Sequence, residues 1–131
     1  MTPELEALAR RAVACKGWRW MPGMRMLHPR MGPARVLRDT QQGVWVAKEE
    51  SLASGFRVDE DGCLADLSDP ATLGCLLALV KMAWKQPLLF LAPDGQRGWA
   101  AVVNGMPIKC HLESEAEALV AALEAAPCEK R

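Results

Sequence analysis

Asp69 followed by Pro70 opens the stretch that most restricts the fold. Behind this capped start, Leu73, Leu76, Leu77, Val80 and Trp84 recur at helical spacing, and Pro87 closes the run. The spacing predicts a helix that begins at Pro70. Cys75, Leu79 and Met82 add apolar surface on a second side, so the helix is expected to be buried around much of its circumference. Gly74 costs about 1 kcal/mol relative to Ala in a helix interior, a cost usually tolerated where another element approaches closely. The uninterrupted apolar part, LGCLLALV, is far shorter than the roughly 18 residues of a membrane span. A helix of this kind needs other elements to cover it. A chain of 131 residues, half of them hydrophobic, is the right size to do so as a single domain, residues 1–131, around one core.

The flanks supply those elements. Thr2 as cap, Pro3 at the first helical position and Gly17 as stop predict an opening helix over 3–15, with Leu5, Leu8, Ala9 and Ala12 on its inner face. From Gly17 to about Val58 the pattern changes to short runs separated by Pro and Gly. GWRWM, MRMLH, ARVLR, GVWVAK and GFRVDED read as strands of a small antiparallel meander. Alternation sets Val36 on the face opposite Arg35 and Leu37, and puts Val44 and Val46 on a face that excludes Trp45. DEDG at 59–62 is a turn signal, and CLADL leads on to the central helix.

Beyond Pro87, PLLFLA, GWAAVV and MPIKC, separated by PDGQR and the tight Asn104-Gly105, spell a three-stranded antiparallel meander. Pro107 places its strand at an edge. Ser114 and Glu117 form a capping box for a closing helix with Ala116, Leu119, Val120 and Leu123 on one face. The predicted fold is α+β, in the order helix, strands, helix, three-stranded meander, helix. The broad burial expected of the central helix favours a layered sandwich of antiparallel sheet and helices.

Several of these stretches carry a family resemblance. DLSDPATLGCLLALVKMAW, the Trp-bearing hairpin RGWAAVVNG, the closing SEAEALVAALEAA and the opening LARRAVACKGWRWMPGMR together resemble a layout found among small phage and prophage proteins of unknown function. Some of these are similar to the phage ABA-sandwich domain, in which helices sandwich a sheet. The resemblance implies a phage-encoded accessory protein acting in the host cytoplasm. It brings no catalytic residues with it.

Recognisable chemistry is sparse. The five cysteines, at 15, 63, 75, 110 and 128, form no C-x-x-C pair, which argues against a disulfide framework and a zinc site. His28 and His111 are the only side chains with an unperturbed pKa near neutrality. Cys110 and His111 are neighbours on a predicted strand and point to opposite faces, which disfavours a nucleophile pair. Asp59 and Asp61 do not continue into an EF-hand loop, and neither a P-loop nor a G-x-G-x-x-G occurs. The expectation is a non-enzymatic chain with no cofactor and no metal. The N-terminus lacks the order of a signal peptide, which points to an intracellular protein.

Charge is the stronger signal. The chain is neutral, with 16 basic and 16 acidic residues, yet residues 9–48 hold nine Lys or Arg against the single acid Asp39. That segment is net +8 and the remainder net −8. Such asymmetry suggests an oriented surface, provided the fold does not interleave the two halves. Within it, KGWRWMPGMRMLHPR (16–30) holds two Trp, three Met and five basic residues counting His28. The plain interpretation makes Trp and Met core and Arg solvated.

The sharper interpretation is a binding surface made by Trp18, Arg19, Trp20, Met24, Arg25, Arg30, Arg35 and Arg38, because Trp, Met and Arg are enriched at protein interfaces. Its partner would be a host or phage protein with an acidic surface. The alternative is nucleic acid, with Arg10, Arg11, Lys16, Arg19, Arg25, Arg30, Arg35 and Arg38 on phosphates and Trp18 or Trp20 stacked on bases. The compensating net −8 elsewhere weighs against that alternative.

Overall fold

The computed structural model describes residues 2–40, 43–48, 55–59, 61–93, 98–103, 106–112 and 114–127. The chain is α+β. Helix α1 (Pro3–Val13) is followed by strands β1 (Arg25–His28), β2 (Gly32–Thr40), β3 (Gly43–Lys48), β4 (Phe56–Val58) and β5 (Leu64–Ala65). Helix α2 (Pro70–Trp84), strands β6 (Phe90–Pro93), β7 (Trp99–Val103) and β8 (Met106–Leu112), and helix α3 (Glu115–Ala125) complete it. The strands form two antiparallel sheets, ordered β4-β3-β2-β1-β5 and β6-β7-β8. The strand holding Pro107 lies at an edge of the second sheet. Asn104-Gly105 lies outside the described residues.

Each helix starts where a side chain satisfies an orphan backbone amide. Thr2 Oγ1 accepts from Leu5 N at 3.2 Å, Asp69 Oδ2 accepts from Thr72 N at 3.0 Å, and Ser114 Oγ accepts from Glu117 N at 3.1 Å. Helix α1 ends at Val13 rather than Cys15, and the backbone bond from Trp18 N to Cys15 O (3.0 Å) turns the chain into the first loop.

The inner face of the first sheet follows the alternation. Val36 lies opposite Val46, Val44 opposite Val58, and Met26 opposite both Ala34 and Ala65, and all of these are buried. A register shift between Val36 and Arg38 leaves Leu37 without a partner and exposed. The hydrophobic core runs without a break from Leu8 of α1 through Val36 and Leu76 to Ala101 and Leu119.

Three expectations are corrected. GWRWM is not a strand: residues 17–21 form a connection, and Pro22 with the turn bond from Met24 N to Met21 O (3.1 Å) keeps it out of the ladder. Gly74 is exposed on α2, and a Cβ built there meets nothing within 4 Å, so no neighbouring backbone requires the glycine. The most enclosed helix is α3 rather than α2. Ala118, Ala121 and Ala122 are buried alongside the expected Ala116, Leu119, Val120 and Leu123, whereas Met82 of α2 is exposed. Helix α3 contacts α1, α2 and all three strands of the second sheet, and its alanines let elements approach on several sides.

Candidate functional site

The structure divides the basic N-terminal segment between two surfaces and a set of internal ties. The first surface is a cleft of about 450 Å³ between α1, the 18–20 connection and the turn before β5, lined in part by Arg10, Trp18, Arg19, Asp39 and Asp61. The two indoles meet edge to face, with ring centroids 5.3 Å apart and an interplanar angle of 89°. Trp20 is buried and anchors the pair, while Trp18 is only half-buried and Arg19 is exposed. The Trp18 Nε1 atom is buried and has no hydrogen-bond partner among the described residues. The cleft therefore has an aromatic wall held from beneath, two cations and two carboxylates.

The second surface is the outer face of the first sheet. Arg38 lies over the Trp45 ring, 5.1 Å from its centroid, and Arg57 is the cross-strand partner of Trp45. Trp45 is the aromatic missing from the sequence-based set. Its signal was present in GVWVAK, where the alternation that buries Val44 and Val46 necessarily turns Trp45 outward.

The internal ties consume much of the segment's charge. Arg25 Nη1 donates to Asp66 Oδ2, and Arg35 Nη1 donates both to Asp69 Oδ2 at 2.7 Å and to Gly23 O at 2.9 Å. At the surface, Arg11 grips Glu124 through Nε (3.2 Å) and Nη2 (2.5 Å), and Arg10 pairs with Glu6. Burial on its own raises the pKa of Asp66. Hydrogen bonds from Ser68 and Arg25 outweigh it and hold the carboxyl below the usual range. Asp69 is likewise lowered against its burial, by Arg35 and Thr72. The fold interleaves the two halves of the sequence.

Among the eight candidate residues, Trp20 and Met24 are corrected to core positions, 4% and 0% exposed, because β1 and the connection before it turn their apolar side chains under the first sheet. Arg25 and Arg35 are half-buried structural cations. Trp18 and Arg19 come together at the cleft. Arg38 stands on the outer sheet face, and Arg30 is exposed in the β1–β2 turn, where its backbone N–H donates to His28 Nδ1 at 3.1 Å.

That bond, with a second from Met31 N at 3.2 Å, gives His28 a structural role as a turn cap. Asp59 Oδ1 accepts from Asp61 N at 3.1 Å, and Gly62 has φ +76°, so the described part of DEDG is a turn. Among the described residues no three His, Cys, Asp or Glu side chains gather as a metal-ligating group, and no helix is long and apolar enough to cross a membrane. The side chains of Cys110 and His111 lie outside the described set. Comparison with protein-family models, with curated proteins and with solved structures finds no match.

Proposed function

We propose that this chain is a non-catalytic binding protein, a phage-encoded accessory factor of the host cytoplasm. It docks on a host or phage protein with an acidic surface and modulates or inhibits it. The observation that carries the proposal is the pairing of a half-buried Trp18 with an exposed Arg19 on a rigid support, Trp20. Trp and Arg concentrate interface energy when an apolar neighbour fixes their geometry. The cleft beside them holds Asp39 and Asp61 as well as Arg10 and Arg19, and such mixed polarity suits a polypeptide better than a uniformly anionic strand. The contacts of α3 on both its sides support a layered arrangement of helices and sheets, and the unbroken core supports one domain.

The test is affinity capture with the wild-type chain and with Arg19→Glu, each shown to be folded by circular dichroism. A partner held by the first and lost by the second is expected. Equal capture by both chains removes the proposal.

A nucleic-acid function has one specific observation in its favour, the Arg38–Trp45 stack on an open sheet face beside Arg57. Titration of labelled oligonucleotides at two salt concentrations decides it. Binding that weakens with salt and quenches Trp emission supports this second function, and no binding at low salt removes it.

A further inference from the structure

The C-terminal ends of all three helices meet around a groove of about 940 Å³ on the far side of Arg19 from the Trp18 cleft. Its floor is apolar. Ala14, Ala83 and Leu123 contribute to it, and Gly17 sits so close that a Cβ there would lie 3.1 Å from Leu123 Cδ1. Met82 projects beside this floor and is 56% exposed, although it belongs to a helix whose other long aliphatic side chains are buried or half-buried. Exposed methionine is a flexible, polarisable contact that adapts to a partner's shape.

The rim is cationic among the described residues. Lys16, Arg19 and Lys85 line it together with Arg11, which Glu124 holds through two hydrogen bonds. The three helix C-termini oppose this charge, each contributing about −0.5 of an elementary charge at most. Their sum stays below the combined charge of Lys16 and Arg19. Capping bonds to the last carbonyls, such as Lys85 N to Met82 O (3.1 Å) and Ala126 N to Leu123 O (3.3 Å), reduce it further. The groove is therefore positive, open and apolar at its base.

We propose that this groove receives a short acidic segment of a partner protein, with an aliphatic or aromatic side chain seated against Met82 and Leu123 and its carboxylates on Lys16 and Arg19. The proposal rests on the partner-binding function above and names the chemistry of what is bound. The volume is within the range of sites that enclose a small ligand, which suits one or two anchoring side chains rather than a whole domain face. Grooves of this composition take amphipathic segments, the apolar anchor supplying affinity and the rim charges supplying orientation. Arg19 lines both the groove and the Trp18 cleft, so the two surfaces adjoin at that side chain.

The test is selection of a random peptide library against the full chain, followed by binding of the enriched peptides to variants. Enriched sequences are expected to combine Asp or Glu with Leu, Ile, Phe or Trp. Their affinity is expected to fall roughly tenfold in Lys16→Glu and in Met82→Glu, since each places a carboxylate against the carboxylates of the bound segment. Arg30→Glu, on the β1–β2 turn, is expected to leave it unchanged. Oxidation of Met82 by dilute peroxide, read by mass spectrometry, is expected to slow when the peptide is bound, which reports occupancy without any substitution.

Enriched peptides without acidic residues, or binding indifferent to both Lys16 and Met82, overturn the proposal. Binding that responds to Arg10→Glu but not to Met82→Glu places the segment in the Trp18 cleft, which overturns the groove and leaves the partner-binding function standing. Self-association abolished by Met82→Glu, with no peptide enriched, assigns the groove to a second copy of the chain and likewise overturns the proposal.

Discussion

Arg35 and Asp69 meet at 2.7 Å through the same carboxylate oxygen that accepts the Thr72 amide and hydroxyl at 3.0 Å each, so one atom caps α2 and ties it to β2. Removing that atom leaves the Arg35 guanidinium without its carboxylate and the helix without its cap. A lost cap costs about 1 kcal/mol. The ion pair adds to this, discounted because the Arg35 side chain is 36% exposed. Asp69→Ala is expected to lower unfolding stability by about 2 kcal/mol in a urea titration. Asp69→Asn, which keeps the capping geometry, is expected to cost about half as much.

Stability is also expected to depend on acid. The pKa values of Asp66 and Asp69 lie lower in the folded chain than the roughly 3.9 of an unfolded aspartate. Their contribution is therefore complete above about pH 5 and is lost as the pH falls through the folded values, where the unfolded chain binds protons more readily. Urea midpoints are expected to hold steady from neutrality down to about pH 5 and then decline. Asp66→Asn is expected to start lower and decline less steeply.

Gly74 offers the opposite sign. Its position is helical and exposed, and a Cβ there meets nothing within 4 Å. Gly74→Ala is expected to raise stability by about 1 kcal/mol, read as a higher melting temperature.

The helix pair α2 and α3 is pinned by Trp84 Nε1, which donates to Ala122 O at 2.8 Å. Trp84→Phe keeps an aromatic ring but removes the donor. It is expected to cost about 1 to 2 kcal/mol, since the carbonyl it leaves lies in a buried part of α3.

Two arginines of the same segment are expected to separate structure from surface. Arg25→Glu sets a carboxylate against the buried Asp66 and is expected to destabilise by several kcal/mol. Arg19→Glu alters an exposed side chain and is expected to stay within about 0.5 kcal/mol of wild type in the same urea titration.

Much of the fold was legible because its signals are local. Caps at Thr2, Asp69 and Ser114, the alternation through Val36 and Val44–Val46, and the edge-seeking Pro107 each act within a few residues. What escaped depends on partners remote in sequence. Ala118, Ala121 and Ala122 look neutral in the chain and become core only because elements close on α3 from several sides. Trp18 and Trp20 obey a strand period that Pro22 prevents them from using. The candidate site was half legible for the same reason. The richness in Trp and Arg is visible in residues 16–38, but which of its arginines become half-buried structural cations is decided by Asp66 and Asp69, at least 34 positions away in each case.

Those long-range pairs have a kinetic consequence. During synthesis, Arg25 and Arg35 leave the ribosome well before the aspartates that quench them, so residues 9–48 emerge as a segment of net charge +8 that carries three tryptophans. The first sheet can form early, yet Arg25 and Arg35 meet these carboxylates only when Asp66 and Asp69 arrive. The second half of the chain then acts as an intramolecular counterion, and its recruitment is expected to slow as salt screens the attraction.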